Sequence, residues 1–269
     1  MTEPALESEL SGIRALVLDV DDTIVDTRAA MVTAGVVAFA ALWPHRAESH
    51  VAMAERYYAD PERWFRRFAA GEVAFETMRA RRLGEVASAF DLTVPAEARN
   101  RFELAYAPAF RAAQRLFPDV PDLLAAAQRR DLPVALLTNS ALAPTQVKLD
   151  ALGLVDRFDV VVTTDTLGVG KPDPRVYHEV CRLVDATPDA TVCIGDSLEW
   201  DVVGARRAGL RAVWLDRDGG PGTSGRPHLD HPGSDLAASR DVRVYSLDEV
   251  TAALLQKGQS RFGAAAGDR

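Results

Sequence analysis

The sequence predicts an α/β fold: a doubly wound parallel sheet with a block of helices inserted after its first strand. Three observations predict it. Short apolar runs at 13–18, 133–137, 158–162, 191–194 and 211–215 are separated by helical patterns, the alternation that gives a parallel sheet with right-handed crossovers. Residues 27–115 hold no strand-like run, only helix-forming composition with apolar residues three and four apart. Four of the strand-like runs end in polar residues, and in an open sheet such ends lie at the carboxyl edge, where ligands bind.

The first strand, 13–18, runs straight into Asp19, Asp21, Asp22 and Thr23. The helical block follows. Ala29–Leu42 is alanine-rich and stops before Pro44; Arg46–Ala59 comes next. Pro61–Ala70 opens on a proline, which the first helical turn tolerates, and Glu72–Phe90 and Ala96–Gln114 complete the set. Alternation resumes at Pro118. The strand at 133–137 leads into Thr138, Asn139 and Ser140, and the one at 158–162 leads through Thr163 to a turn holding Gly170, Lys171 and Pro172. Asp173 and Pro174 read as an N-cap and first helical residue opening Arg175–Leu183. The strand at 191–194 ends in Gly195, Asp196, Ser197 and Asp201, and a helix over Asp201–Ala208 closes on Gly209. Residues 217–235 are rich in Gly, Pro, Ser and Asp and read as a long surface loop, in which His228, Asp230 and His231 are solvated and hold no metal. A short strand at Val242–Tyr245 and a helix at Leu247–Leu255 precede a tail, 258–269, expected to be disordered.

Composition sets the bounds. The 269 residues suffice for one large α/β domain or a core with a smaller second one, and 48% apolar content supports a sizeable core. No run is long enough to span a membrane, and the acidic start lacks the pattern of a signal peptide. Two cysteines, Cys181 and Cys193, read as small buried apolar residues of a reducing compartment. The expected location is the cytoplasm. A net charge of −8, without a basic face, speaks against nucleic-acid or anionic-membrane partners. An anionic substrate must then be held by local positive charge.

Three carboxylates at the end of a buried strand are costly unless a cation, shared protons or solvent compensates them. Asp19 and Asp21 are two apart and share a side of the strand. The alternative is a polar turn in which Asp22 or Thr23 caps the next helix.

The four polar strand ends, taken in order, resemble the motifs of the haloacid dehalogenase superfamily of hydrolases over roughly residues 13–215. The resemblance implies a Rossmann-like core, 1–26 and 116–257, with a helical cap at 27–115. It implies a Mg²⁺-dependent phosphomonoesterase acting on a small soluble phosphorylated metabolite through an aspartyl-phosphate. In that reading Asp19 is the nucleophile, and Asp21 the general acid and then base, a role expected to need a raised pKa. Thr138 and Asn139 donate to the phosphoryl oxygens, and Lys171 neutralises charge on nucleophile and phosphate. Asp19, Asp196 and the backbone carbonyl of Asp21 hold Mg²⁺, a hard cation suited to oxygen ligands, with Asp201 and Ser197 behind them. Trp200 departs from the family pattern, where a small polar residue is common.

Relatives keep other chemistries on this core. A phosphomutase has the same residues, a 2-haloacid dehalogenase usually lacks the carboxylate at the position of Asp21, and a silent ligand-binding homologue usually loses one of the catalytic groups. Asp22, where many relatives have glycine, points to nucleotide or sugar phosphates. Trp64, Arg66, Arg67 and the turn Ala69–Glu72 are the candidates for specificity. The expected partner is a small phosphate ester, and the expected assembly a monomer or homodimer.

Overall fold

The computed structural model describes residues 3–219 and 242–259. Six short strands form one sheet: β1 (Ala15–Leu18), β2 (Val134–Leu137), β3 (Val160–Val162), β4 (Thr191–Gly195), β5 (Arg211–Leu215) and β6 (Val242–Val244). Their order is β3-β2-β1-β4-β5-β6, every neighbouring pair parallel. The chain starts in the middle and winds outward both ways, so the expected doubly wound α/β sheet is present. Leu18 sits opposite Leu136 on one side and Ile194 on the other, which brings the ends of β1, β2 and β4 to one edge.

Strand alternation explains the two faces. Leu16, Leu18, Leu136 and Ile194 point into one apolar cluster, while Val17, Ala135, Leu137 and Cys193 point into another. Covered on both faces, β1, β2 and β4 are buried throughout, as their nearly continuous apolar sequences require.

Twelve α-helices surround the sheet among the described residues. α1 (Glu3–Glu9) precedes β1. α2 (Thr27–Leu42), α3 (His50–Ala59), α4 (Trp64–Ala69), α5 (Phe75–Ala89) and α6 (Ala98–Ala112) form the block between β1 and β2. α7 (Val120–Arg129), α8 (Leu142–Leu152), α9 (Thr164–Leu167), α10 (Pro174–Leu183), α11 (Ala205–Arg207) and α12 (Leu247–Gln259) belong to the alternating part. The block between β1 and β2 has its own apolar cluster, centred on Phe39, Met53, Tyr57, Val86 and Phe102. The rings of Phe39 and Phe102 lie 5.3 Å apart, and those of Tyr57 and Phe102 5.2 Å apart. Gly35 lets α2 and α3 approach, because a Cβ there would stand 2.8 Å from the Cβ of Ala54.

Several boundaries differ from expectation, each for a local reason. The helix expected from Arg46 begins as a 3₁₀ turn over Pro44–Ser49, with Arg46 outside helical geometry, and becomes α-helical at His50. The helix expected from Pro61 begins at Trp64, because Asp60 and Arg63 adopt left-handed backbone and the Asp60 carboxylate accepts from Phe65 N at 2.7 Å. The helix expected at Asp201 starts three residues earlier, as a π-helix over Leu198–Gly204 capped by Ser197, whose hydroxyl accepts from Trp200 N at 3.2 Å. α1 buries Leu6 and leads into buried Leu10, and sequence reading missed it. α12 extends past Leu255 to Gln259. Residues 220–241, which hold His228, Asp230 and His231, and residues 260–269 of the expected tail lie outside the described residues.

Cys181 and Cys193 are buried and unpaired in the second apolar cluster. No helix among the described residues is long and apolar enough to cross a membrane.

Candidate active site

The carboxyl edge of the sheet gathers the residues singled out in the sequence. Asp19 follows β1 directly and is buried. Lys171, from the turn after α9, reaches it: its Nζ donates to Asp19 Oδ1 at 2.6 Å and to Asp201 Oδ1 at 2.6 Å. Burial works against the Lys171 charge, but Asp19 and Asp201 outweigh it and hold the ammonium protonated. The second Asp201 oxygen accepts from Ser197 N at 3.0 Å. Gly195 is needed here, since a Cβ on it would collide with the Asp201 carboxylate.

Asp196 ends β4. Its N–H donates to the Thr23 hydroxyl at 3.0 Å and its carbonyl accepts from Trp214 Nε1 at 2.9 Å. Asp19, Asp196 and Asp201 each offer a carboxylate oxygen, and these lie within 4.8 Å of one another. Burial raises the Asp19 pKa to about 7, opposed by Lys171 and reinforced by Asp201 and Asp21. Burial and the charge of Asp19 push Asp196 well above the usual carboxylate range. Three carboxylates face one ammonium, so the cluster carries a surplus of two negative charges when fully ionised. A divalent cation with oxygen ligands fits that surplus.

Asp21 is turned elsewhere. Thr27 donates to Oδ1 at 2.6 Å, Ser140 donates to Oδ2 at 2.8 Å, and Lys148 forms an ion pair with Oδ1. Burial alone would raise its pKa. The Lys148 charge and the hydrogen bonds from Lys148, Thr27 and Ser140 outweigh that and lower it. This corrects the expectation of a raised value for Asp21: crowding was foreseen, the lysine was not.

Thr138 and Asn139 follow β2. The Thr138 hydroxyl accepts from Ser140 N at 3.1 Å and lies 3.4 Å from Asp21 Oδ2. The Asn139 carboxamide is spent on the neighbouring loop, accepting from Lys171 N at 2.6 Å and donating to Lys171 O at 2.9 Å. Its side chain therefore positions Lys171.

Asp22 takes the capping reading of its sequence position. It adopts left-handed backbone (φ 58°), and its Oδ1 accepts from Arg28 N at 2.9 Å in the first turn of α2. Its other oxygen accepts from the Tyr58 hydroxyl of α3 at 2.5 Å. Burial first, then neighbouring Asp21 and Asp26, raise its pKa to about 6 against the Tyr58 hydrogen bond.

Lys148, Ser140, Thr27 and Tyr58 were missed. Lys148 carried the one usable signal: it lies between Thr145 and Leu149 on the buried face of α8, where a lysine requires a charged partner.

A cavity of about 840 Å³ opens from this edge toward the helical block. Four contacts span the two sides: Tyr58 to Asp22, Gly170 N donating to Ala69 O at 3.0 Å, Arg66 paired with Glu199 at 2.6 Å, and the Phe65 and Trp200 rings 6.2 Å apart. Trp200, the departure noted in the sequence, thus packs against α4.

A family model described as haloacid dehalogenase-like hydrolase matches residues 13–209. A phosphoserine phosphatase of Thermus thermophilus is 38% identical over 135 residues, 50% of this chain and 49% of that protein. An (S)-2-haloacid dehalogenase of a Pseudomonas species is 34% identical over 103 residues, 38% of this chain and 44% of that one. The matches thus cover about half the length of these curated relatives. The crystal structure of a magnesium-bound HAD-hydrolase from Bacillus subtilis superposes with a TM-score of 0.70 at 21% identity, covering 90% of this chain and 99% of that one, and attests the fold.

Proposed function

The chain belongs to the haloacid dehalogenase-like hydrolases, and we propose that within them it is a Mg²⁺-dependent phosphomonoesterase of a small phosphorylated metabolite. The observation that carries this reading is the charge balance at Asp19, Asp196 and Asp201, which exceeds Lys171 by the charge of one divalent cation. Phosphatase names among the relatives support it. The dehalogenase relative does not displace it. Displacing a halide calls for no carboxylate beside the nucleophile and no uncompensated acidic cluster, and this chain has both.

Asp19 and Asp196, with the Asp21 carbonyl, would hold Mg²⁺, and Asp201 and Ser197 would back them. The ion supplies charge neutralisation for the phosphoryl oxygens and keeps Asp19 ionised. Asp19 attacks phosphorus, an aspartyl-phosphate forms and the ester P–O bond breaks. Lys171 balances the charge that builds on Asp19 and the phosphoryl group. The Thr138 hydroxyl and the Asn139 N–H donate to phosphoryl oxygens. Asp21 passes a proton to the leaving oxygen, then takes one from the water that hydrolyses the intermediate. The acid step needs Asp21 protonated, which Lys148 opposes; the base step is the one the resting geometry favours. In this proposal residues 1–26 and 116–257 are the core and 27–115 a cap over the cavity, and the protein works in the cytoplasm.

The test is p-nitrophenyl phosphate hydrolysis by wild type and Asp19→Asn, with Mg²⁺ and with EDTA. Turnover confined to wild type with Mg²⁺ is expected. Turnover by Asp19→Asn, or turnover unchanged in EDTA, overturns the assignment.

A further inference from the structure

The turn after β1 carries Asp19 and Asp21, and an arginine from beyond β5 holds it in place. Arg217 is half-buried, and all three of its guanidinium nitrogens are engaged. Nε and one terminal nitrogen donate to the Thr23 carbonyl at 3.2 and 2.7 Å. The two terminal nitrogens also clasp the Asp119 carboxylate at 2.9 and 3.0 Å. The guanidinium lies flat enough over Phe117 to stand 3.8 Å from the centre of its ring. Asp119 and Phe117 thus aim the fork at Thr23. That residue is fully buried, so its carbonyl needs a donor from the protein.

From Thr23 the connection runs on to Asp196. The Thr23 hydroxyl accepts from Asp196 N at 3.0 Å and donates to Asp196 Oδ1 at 3.5 Å. A shift of Thr23 would therefore release Asp196 at its backbone and at its carboxylate together. Arg211, at the other end of β5, offers a contrast. Its guanidinium also clamps backbone carbonyls, those of Glu9, Ser11 and Asp189, but none of these touches an acidic residue of the site.

Resting on the Mg²⁺ reading above, we propose that Arg217 is a positioning residue for the metal site. Acting through Thr23, it fixes where Asp196 presents its carboxylate and so sets the affinity for the divalent cation. A clamp that only stabilised the fold would lower the melting temperature and leave the Mg²⁺ affinity of the folded protein unchanged.

The Mg²⁺ Kd, read from the rise in melting temperature with Mg²⁺ concentration, separates the two. Arg217→Met and Thr23→Val should each raise it about tenfold, the usual scale for a group that orients a metal ligand. Their double variant should rise about as far as either alone, because both break one connection. Arg217→Lys keeps a charge for Asp119 but loses the fork, so it should melt closer to the wild type and still bind Mg²⁺ several-fold more weakly. Arg211→Met should melt lower with the wild-type Kd. A wild-type Kd in Arg217→Met, or in Arg217→Lys where the methionine variant does not fold, overturns the proposal and spares the metal reading. A rise of about a hundredfold in the double variant overturns the route through Thr23. A wild-type melting temperature indifferent to Mg²⁺ overturns the metal reading and the proposal with it.

Discussion

At the scale of single residues, the site is organised around two lysines with separate duties. Lys171 holds Asp19 and Asp201, and Lys148 holds Asp21. Lys148 is 2% exposed and reaches Asp21 from α8, 127 positions along the chain. Since its charge lowers the Asp21 pKa against burial, Lys148→Met should raise it and leave less base at neutral pH. The expected outcome is a kcat roughly 10- to 100-fold lower at pH 7, with the acidic limb of the kcat profile moved to higher pH. A kcat–pH profile of the variant that overlays the wild type would remove Lys148 from the mechanism. The three aspartates at the end of β1 were legible in sequence because their crowding demanded a counter-charge. Which lysine answers Asp21 was not, because only the fold brings α8 to the loop that follows β1.

At the scale of elements, the fold was legible wherever the pattern was local and lost where a distant contact decided. Short strands of three to five residues followed by polar ends appear within the expected runs, β3 only from Val160, and for β1, β2 and β4 burial on both faces leaves little other sequence free. Helix starts moved where capping came from outside the apparent pattern, as with Asp60 at α4. Asp119 is the larger case. It sits at the start of α7, yet its carboxylate accepts from Arg217 past β5 at 2.9 and 3.0 Å, from Ser246 Oγ at 2.9 Å, and from Leu247 N of α12 at 2.8 Å. No local reading shows an aspartate joining three elements. Asp119→Ala leaves a helix N-terminus without its acceptor and a half-buried guanidinium with only the Thr23 carbonyl. The expected loss is about 2 kcal/mol, read as a lower urea midpoint at unchanged m-value. A shift under about 0.5 kcal/mol would show that water replaces the carboxylate at no cost.

At the scale of the whole molecule, the sheet edge stores electrostatic strain that a bound cation would relieve. Asp19, pushed up to about 7, and Asp196, pushed well above the carboxylate range, both bind protons more tightly folded than unfolded. Between the unfolded value of about 4 and the folded one, the native state therefore holds more protons than the unfolded chain. The slope of unfolding free energy with pH is then negative, and this part of the stability is lost as pH rises toward 7 and beyond. Asp119 runs the other way: burial raises its pKa, but Arg217, Leu247 N–H and Ser246 outweigh that and lower it, so its contribution is lost only in acid. Metal-free protein should accordingly melt at a lower temperature at pH 8 than at pH 5.5. If Asp19 and Asp196 hold Mg²⁺ as proposed, the ion competes with protons for them and should raise the melting temperature more at pH 8 than at pH 5.5. Differential scanning calorimetry in EDTA and in excess Mg²⁺ at both pH values checks this. The Asp19→Asn, Asp196→Asn double variant should lose the Mg²⁺ response and most of the pH slope, because it removes the surplus charge itself and leaves only the smaller contribution of Asp22, raised to about 6. If the double variant keeps the Mg²⁺ response, the cation binds elsewhere, and the charge balance that carries the catalytic reading has another cause.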